Sequence, residues 1–465
     1  MQINNWIAST DSPTAQSFQK INPYTHEPLY SVSQSTVLDI VRALQVAQKS
    51  YLEWKDSNLW DRLQLLNKII QAYQENQKEL IQLESLDQAL SLDFTDKANY
   101  RVGLQYLLQM QAELQSPDLK FANYKSVGVI SILLSWNLSN RLFIDKVISA
   151  IMAGNTVLVK LSSVSPGTAL IWIKIFTQAG LPTGLVQFVF SNERNVQELL
   201  LTHPGIKAVV MTADLKNTSL ALQKIASLAE RQFKKIQIGS GSKNPAIALL
   251  EPTSSTVQDI FESFMMGQGQ LHWNSARLFV TEKNQKLWTE ALSDYLNQLK
   301  PVSSVSEEGI WRPVLKSRSF ENFQDILQQA RKDQAKLMQV GIVSEGLSDR
   351  YLAPTWTKDM SNCSTLQQDQ MHAPLYIISE VKYPFDIPKY SNVSYYGDSA
   401  SIWFSEKRPD KVIDQLDVGF MSLNKWSVYS PDRYSSVKQS GFGLQDHRIF
   451  GAFYSNVKKV SAFTE

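Results

Sequence analysis

The first ninety residues carry apolar side chains at a spacing typical of α-helices. Val37–Trp54 and Trp60–Leu90 repeat apolar residues every three or four positions with polar residues between them, as at Leu63, Leu66 and Ile70. Neither segment contains glycine. Because glycine is a poor helix former, its absence predicts long uninterrupted helices in this part of the chain.

A different pattern begins near Val127, where short apolar, β-branched runs alternate with amphipathic segments. The order strand, helix, strand, helix predicts a parallel doubly wound sheet, which binds ligands at the carboxyl ends of its strands. The same alternation starts again near Asn244, so the sequence predicts an α/β protein with two doubly wound lobes. The predicted strands are Val127–Leu134, Thr156–Lys160, Leu185–Phe190, Lys207–Thr212, Ala246–Leu250, Arg277–Thr281, Met338–Val343, Leu375–Val381, Ser401–Phe404 and Phe420–Leu423. The predicted helices are Arg141–Met152, Pro166–Ala179, Glu193–Thr202, Asn217–Gln232, Val257–Met266 and Phe320–Ala335, and Pro301–Pro313 is predicted as a surface loop.

The first turn of this pattern lacks the common dinucleotide-binding motif. That motif, G-x-G-x-x-G, follows the first strand because glycines let the backbone approach pyrophosphate. The turn after Val127–Leu134 reads Ser135-Trp136-Asn137-Leu138-Ser139 and has no glycine. Either no dinucleotide binds here or it binds in another manner.

The composition is that of an ordinary globular protein. The chain has 465 residues, and 46 Lys and Arg against 44 Asp and Glu give a net charge of +2. At roughly 150 residues per domain, this length predicts about three domains or lobes. A near-neutral charge argues against a nucleic-acid or membrane-surface role, which needs a basic excess. We recognise no signal peptide and no transmembrane segment, so we expect neither nucleic acid nor membrane as a partner.

Cysteine and histidine usage limits the chemistry further. Cys363 is the only cysteine, which excludes an internal disulfide and any multi-thiolate zinc or iron–sulfur site. This usage fits a reducing, cytoplasmic location. The five histidines include no pair at metal-ligand spacing, so we expect no metal held by protein side chains.

Several short motifs occur in order over nearly the whole chain. They are Ser135-Trp136-Asn137, Val157-Leu158-Val159-Lys160, Ala179-Gly180-Leu181-Pro182-Thr183-Gly184, Lys243-Asn244-Pro245, Gly269-Gln270 followed by Arg277-Leu278-Phe279-Val280, Lys438-Gln439-Ser440-Gly441, and the tail His447-Arg448-Ile449-Phe450-Gly451-Ala452-Phe453-Tyr454. Together they resemble the aldehyde dehydrogenase superfamily, and most closely its succinylglutamate semialdehyde dehydrogenase branch. The order and spacing of so many motifs carry the resemblance, since no single one is decisive.

The resemblance implies an aldehyde dehydrogenase-like fold with a division into lobes. Residues 1–113 and 127–240 would form a cofactor-type lobe, residues 241–430 a catalytic-type lobe, and residues 431–454 would return to the cofactor-type lobe. A small β oligomerisation hairpin near Leu114–Ser126 would lie with residues 455–465 in a dimer or tetramer of identical chains.

The resemblance also implies a chemistry whose residues are largely missing here. Family members attack an aldehyde with a cysteine thiolate, pass hydride to NAD or NADP, and hydrolyse the thioester with water activated by a glutamate. The nucleophile position, two residues beyond Gly269-Gln270, is His272. The general-base position is Gly239, or Gln237 if the alignment shifts. Only Asn137, at the position of the amide that stabilises the oxyanion, is retained.

The cofactor positions are altered as well. Trp136 and Lys160 match the family, but Ser163 replaces the glutamate that partners the lysine on the adenosine ribose. Gln370 replaces the glutamate that holds the nicotinamide ribose, and Asp214 places a carboxylate near the expected pyrophosphate, where like charges repel. The resemblance therefore implies NAD or NADP at an eroded site. Two further replacements are His372, at an aromatic position, and Arg433-Tyr434-Ser435-Ser436, at a Pro-Phe-Gly-Gly element.

Three hypotheses are consistent with these replacements. The favoured one is an inactive or strongly impaired homologue with a binding, regulatory or scaffolding role. The second is an active oxidoreductase or hydrolase of non-standard chemistry, such as an esterase or hydratase, that uses His272 with Asn137 as the oxyanion donor. Its mark would be a carboxylate that orients His272, whereas a histidine that only fills space beside Trp273 would lack one. The third keeps the dehydrogenase reaction through Cys363. The basic residues Arg277, Lys438 and Arg448 could hold an anionic substrate or serve only packing.

Overall fold

The structure is a computed structural model that describes most of the chain. The described residues are 1–117, 119, 123–212, 227, 231–315, 318–339, 351–358, 360–443 and 448–459. Most of the predicted helix Asn217–Gln232, together with Asp214 and His447, lies outside them.

The strands and helices of the described residues are as follows, each type in chain order. The strands are β1 (Gln2–Ile3), β2 (Asn5–Ile7), β3 (Thr10–Ser12), β4 (Ser17–Ile21), β5 (Pro28–Ser33), β6 (Tyr124–Ser126), β7 (Val129–Leu133), β8 (Thr156–Lys160), β9 (Val186–Phe188), β10 (Ile206–Thr212), β11 (Lys235–Gly239), β12 (Asn244–Ala248), β13 (Ser275–Thr281), β14 (Lys336–Gln339), β15 (Thr355–Lys358), β16 (Leu375–Val381), β17 (Tyr396–Gly397), β18 (Ser399–Trp403), β19 (Phe420–Leu423), β20 (Val437–Lys438), β21 (Gly441–Gly443) and β22 (Ser455–Val457). The α-helices are Val37–Trp54, Leu59–Glu75, Gln77–Gln88, Leu92–Phe94, Val102–Gln115, Ser139–Phe143, Ser149–Met152, Thr168–Ala179, Arg194–Thr202, Ser254–Met265, Glu282–Asn297, Arg318–Lys332, Thr365–Gln368, Ile387–Ser391 and Asp410–Ile413. Short π-helical turns at Thr95–Arg101 and Ile144–Ile148, and 3-10 turns at Met266–Gly269, Pro384–Asp386 and Ser427–Tyr429, complete the set.

The first sheet has a parallel centre with the strand order β9-β8-β7-β10-β11. Antiparallel β21 lies beyond β11, and antiparallel β2 and β3 lie beyond β9. From β7 the chain adds β8 and β9 on one side, and it then crosses to the other side of β7 to add β10 and β11. The order of strand addition therefore reverses between β7 and β10. In open α/β sheets such a reversal opens a ligand-binding crevice at the carboxyl ends of the strands.

The second sheet repeats this construction with the order β14-β15-β16-β13-β12-β18-β19. Its strands are parallel except β14, which pairs antiparallel with β15. The predicted α/β class with two doubly wound lobes is therefore confirmed. The predicted strands and helices that the structure describes begin and end within three residues of the observed ones, and of Met338–Val343 only the portion inside Lys336–Gln339 is described.

Asn76 interrupts the helix predicted over Trp60–Leu90. The structure divides this segment into Leu59–Glu75 and Gln77–Gln88. The Asn76 side chain donates to the Ala72 carbonyl at 2.7 Å. Asparagine side chains compete for helix carbonyls in this way and favour helix ends, so the prediction of one uninterrupted helix was wrong.

Part of the predicted surface loop Pro301–Pro313 is buried. Trp311 and Arg312 are each 1% exposed. The Val302 N–H donates to the Trp311 carbonyl at 2.9 Å, and Arg312 donates to the Gly309 carbonyl and to the Tyr24 hydroxyl. The segment is a loop, but its polar backbone is satisfied by internal partners, which permits burial.

The proposed oligomerisation segment near Leu114–Ser126 is divided between a helix and a strand. Helix Val102–Gln115 extends beyond Leu114, the predicted start of this segment. Strand β6 pairs antiparallel with β22, with Lys125 opposite Asn456. Residues far apart in sequence therefore form a small two-stranded ribbon.

A buried carboxylate, Glu84, joins the helices beneath the β7 turn. It accepts hydrogen bonds from Asn99 at 2.9 Å, from Thr168, and from the Asn140 backbone at 3.4 Å. Its neighbour Gln88 donates to it and accepts the Leu138 N–H at 3.0 Å. Burial raises the pKa of Glu84 to about 7, against the opposing effect of these hydrogen bonds.

Stability should therefore fall as pH rises from about 4.5 to about 7, because the folded state holds a proton on Glu84 that the unfolded state releases at lower pH. This pKa shift corresponds to a decrease of about 3 kcal/mol in the free energy of unfolding over this pH interval. In Glu84→Gln this pH-dependent component should disappear, although lost hydrogen bonds lower stability at every pH. Urea unfolding midpoints from pH 4.5 to 8 measure the effect, with exposed Glu53→Gln as the control. An equal pH slope in Glu84→Gln and the unsubstituted protein would contradict the assignment.

Candidate active site

A cavity of about 600 Å³ lies where the two lobes meet. The first lobe lines it with residues at the carboxyl ends of β7, β8, β10 and β11, and the second lobe lines it with the loops that precede β13, β16 and β18. The first sheet thus presents the carboxyl ends of its strands to the cavity, and the second sheet presents the amino ends of its strands. Seven residues at predicted catalytic and cofactor positions line this cavity: Trp136, Asn137, Lys160, Ser163, Gly239, His272 and Gln370.

His272 is held in position through its backbone. The loop before it is anchored by Asn274, whose side chain accepts the Leu271 N–H at 2.6 Å and donates to the Ser263 and Met266 carbonyls. The His272 carbonyl accepts hydrogen bonds from the Ser242 hydroxyl at 2.5 Å and from the Asn244 amide at 3.1 Å.

A carboxylate, Asp398, orients the His272 ring. The Nε2 atom of His272 lies 3.0 Å from Oδ1 of Asp398, whose side chain is 1% exposed. Asp398 also accepts hydrogen bonds from Ser436 at 2.6 Å and from the Tyr434 hydroxyl at 3.1 Å. With three donors around it, the buried carboxylate is well satisfied as an anion.

Asn244 brings the two partners together. It stands at the start of β12, between β13 and β18. Its amide donates to the His272 carbonyl, and its Oδ1 accepts the Ser399 N–H at 3.1 Å, next to Asp398. This one side chain thereby holds together the two loops that carry the imidazole and the carboxylate. Sequence reasoning missed both Asp398 and this role of Asn244, because the residues come together only through strand pairing.

Opposing effects act on the pKa of the His272 imidazole. Burial lowers the pKa of His272, whereas the charge of Asp398 and its hydrogen bond raise it, and Arg141 lowers it. The net effect is a pKa above the ordinary value of 6.5. Burial and Asp398 also raise the pKa of Tyr434, so this phenol acts as a hydrogen-bond donor.

Asn137, at the position predicted for the oxyanion donor, contacts the backbone of His272. The backbone N–H of His272 donates to Oδ1 of Asn137 at 3.2 Å. In the family's mechanism the Asn amide and this N–H would both donate to the developing oxyanion. Here the N–H already has a partner, and the Asn137 Nδ2 is the donor left at the cavity wall.

Arg141 closes one side of the cavity. Its guanidinium lies 4.7 Å from the centre of the Trp273 ring and donates to the Tyr106 hydroxyl and to the Val428 carbonyl. These contacts satisfy a buried charge with aromatic and carbonyl partners.

The position predicted for the general base offers space but no proton acceptor. Gly239 lines the cavity, and a Cβ placed there would meet only the Thr212 methyl, at 3.9 Å. A glutamate side chain could therefore enter the cavity from this position. Gln237 also lines the cavity, with an amide instead of a carboxylate.

At the remaining cofactor positions, polar groups face the cavity. Lys160, at the end of β8, and Ser163 lie on the first lobe's side. Gln370 lies on the second lobe's side, and its buried Oε1 has no hydrogen-bond partner among the described residues. A buried acceptor without a partner is costly, so a side-chain movement that brought this atom to a ligand hydroxyl would be favoured.

Several candidates lie away from the cavity. Cys363 is exposed on the surface and does not line it. Buried Arg277 donates to the Lys243 and Ser391 carbonyls, Lys438 pairs with Asp417 at 3.1 Å, and Arg448 is exposed. Arg277 and Lys438 therefore serve packing.

Comparison with known proteins agrees with this architecture. A sequence model of the aldehyde dehydrogenase family matches residues 6–460, so the chain belongs to that family. A Staphylococcus haemolyticus protein provisionally named an aldehyde dehydrogenase is 24% identical over 455 residues, which cover 95% of this chain and 93% of that protein.

Solved structures show the same fold at low sequence identity. An aldehyde dehydrogenase from Bacillus cereus in complex with NAD⁺ is 21% identical, with a TM-score of 0.87 over 98% of this chain and 96% of that one. Betaine aldehyde dehydrogenase from Staphylococcus aureus, also with NAD⁺, is 19% identical, with a TM-score of 0.88 over 98% of this chain and 93% of that one.

Two kinds of feature are absent from the described residues. Within them, no helix is long and apolar enough to cross a membrane. In the same part of the chain, no three His, Cys, Asp or Glu side chains are grouped so that they could hold a metal ion.

We expect Asp398→Asn to lower the pKa of His272, because the favourable charge is removed while burial and Arg141 remain. Histidine-selective NMR titration measures this pKa, with His272→Gln to assign the resonance and exposed Asp56→Asn as the control. An unchanged His272 pKa in Asp398→Asn would show that the two side chains do not interact in solution.

Proposed function

We propose that this family member does not oxidise aldehydes by the thiol route and acts as a nucleotide-binding homologue with impaired or altered chemistry. One observation carries the proposal: an imidazole paired with Asp398 occupies the nucleophile position, while Cys363 is exposed elsewhere. An acyl-imidazole differs from a thioester in reactivity and geometry, so His272 is a poor substitute in this reaction.

Two further changes support the proposal. Gly239 provides no carboxylate to activate water for thioester hydrolysis. The His272 N–H is engaged by Asn137, which removes one donor from the oxyanion site. Each change alone would slow the family's reaction, and together they act on different steps of it.

The cavity residues fit a nicotinamide nucleotide. Lys160 and Ser163 would hold the adenosine ribose, and the unpartnered Gln370 Oε1 would accept a hydrogen bond from the second ribose. When bound, this cofactor supplies a hydride acceptor. Without the charge of a glutamate at either position, we expect weaker binding than in enzymes that keep both.

The resemblance to succinylglutamate semialdehyde dehydrogenases supports a proposal about origin. The tail Ile449-Phe450-Gly451-Ala452-Phe453-Tyr454 is similar to that branch. We infer that the ancestral substrate was a semialdehyde of this class. Arg433 and Lys146 are basic groups on the cavity wall that could face an anionic end of such a substrate, and both pair with Asp145.

The ribbon of β6 and β22 supports a homo-oligomer, and the use of a single cysteine fits a cytoplasmic location. A two-stranded ribbon is marginally stable on its own and leaves open edges. Val457 in this ribbon is 61% exposed. A second copy of the chain that covers this edge would bury apolar surface.

Titration calorimetry tests the cofactor proposal. We expect saturable binding of NAD or NADP, with thermal stabilisation of about 2.7 kcal/mol at a ligand concentration of 100 Kd. Gln370→Ala should weaken binding, while Cys363→Ser should leave it unchanged. No heat and no melting shift at millimolar cofactor would rule out the nucleotide site.

Restoration of the missing groups tests the loss of dehydrogenase activity. We expect the unsubstituted protein and Cys363→Ser to reduce no NAD with aldehydes, since loss of a nucleophile costs several orders of magnitude in rate. His272→Cys combined with Gly239→Glu should gain measurable NADH formation. A rate in the unsubstituted protein that Cys363→Ser abolishes would overturn the proposal.

Multi-angle light scattering tests the assembly. We expect a dimer or tetramer at micromolar concentration, and Val457→Asp should shift it towards smaller species because a charge is costly in an apolar interface. Exposed Leu52→Asp is the control. A monomer in the unsubstituted protein would contradict the proposal.

A further inference from the structure

We propose that this chain hydrolyses activated carboxylic esters, with the His272 imidazole as the general base that deprotonates water. This reaction would use the geometry of the cavity, and it requires neither a bound cofactor nor the loss of dehydrogenase activity. It assigns a reaction to the pair His272 and Asp398, for which the thiol mechanism has no use.

The contact with Asp398 determines which ring nitrogen of His272 can act. Because Nε2 donates its proton to the carboxylate at 3.0 Å, Nδ1 carries the lone pair in the neutral ring. Nδ1 has no hydrogen-bond partner among the residues that the structure describes. The side chain is 24% exposed and lines the cavity, so this lone pair is accessible to a water molecule there.

The carboxylate is suited to its positioning role. Asp398 is buried and accepts hydrogen bonds from Ser436 and Tyr434 as well as from His272. These bonds fix its place and stabilise its negative charge, which in turn stabilises the imidazolium that forms when His272 takes a proton.

Asn137 supplies a hydrogen-bond donor for the carbonyl oxygen of the ester. Its Oδ1 accepts the backbone N–H of His272 at 3.2 Å, so its Nδ2 is left as a donor on a residue that lines the same cavity as the imidazole. An ester whose carbonyl oxygen accepts this N–H would lie in the cavity that the His272 imidazole also lines, where water held by Nδ1 could attack its carbonyl carbon.

The reaction balances without an oxidant or a bound group. The water oxygen bonds to the carbonyl carbon while its proton passes to Nδ1 of His272, and the carbonyl π electrons move to the oxygen held by Asn137. When the carbonyl re-forms, the bond to the alcohol oxygen breaks and His272 returns the proton to it. The products are a carboxylic acid and an alcohol, and water is the co-reactant.

Hydrolysis of p-nitrophenyl acetate tests the proposal. We expect His272→Gln to reduce the rate by at least about 100-fold, the lower limit for loss of a general base. Exposed His26→Gln and Cys363→Ser are matched controls for surface imidazole and thiol reactivity, and both should keep the full rate. A His272→Gln rate within twofold of the unsubstituted protein, or a loss in either control, would overturn the assignment.

The pH profile and the time course of the unsubstituted protein keep the test independent of folding in the variants. The charged and titratable groups around His272 are Asp398, Arg141 and, through Asp398, Tyr434. The rate should rise with pH through the His272 pKa, which lies above 6.5. Asp398→Asn should move this rise to lower pH and lower the plateau, and an unmoved profile contradicts the positioning role. A burst of p-nitrophenol would reveal an acyl-enzyme and rule out general-base catalysis.

Discussion

The contact between His272 and Asp398 is the constraint on which the site depends. A buried carboxylate needs several donors, and Asp398 obtains them from His272, Tyr434 and Ser436. These donors come from segments far apart in the chain. The need to satisfy one buried charge therefore ties together the loops that close the cavity, and it gives the imidazole a defined orientation.

The geometry of the two sheets makes this contact possible. One sheet points its carboxyl strand ends at the cavity, and the other points its amino ends there. The nucleotide-binding side and the reactive side can therefore change separately. In this chain the first side presents polar groups to the cavity, and the second presents an imidazole paired with a carboxylate, which suits proton transfer more than covalent attack.

The sequence predicted the architecture well because strand and helix periodicity is local. It also placed Trp136, Asn137, Lys160, Ser163, Gly239, His272 and Gln370, all of which line one cavity. Its errors arose where a polar side chain or a tertiary contact outweighed the pattern. Asn76 ends a helix by bonding to the Ala72 carbonyl, and Trp311 is buried in a segment expected at the surface.

The sequence alone determined the family resemblance, and it showed that residue 272 is a histidine and residue 239 a glycine. Only the tertiary structure decided what His272 contacts. Asp398 reaches it because β12, through Asn244, lies between the strands that follow each residue. Strand order depends on long-range packing rather than local pattern, so no motif near either residue could have revealed the pair.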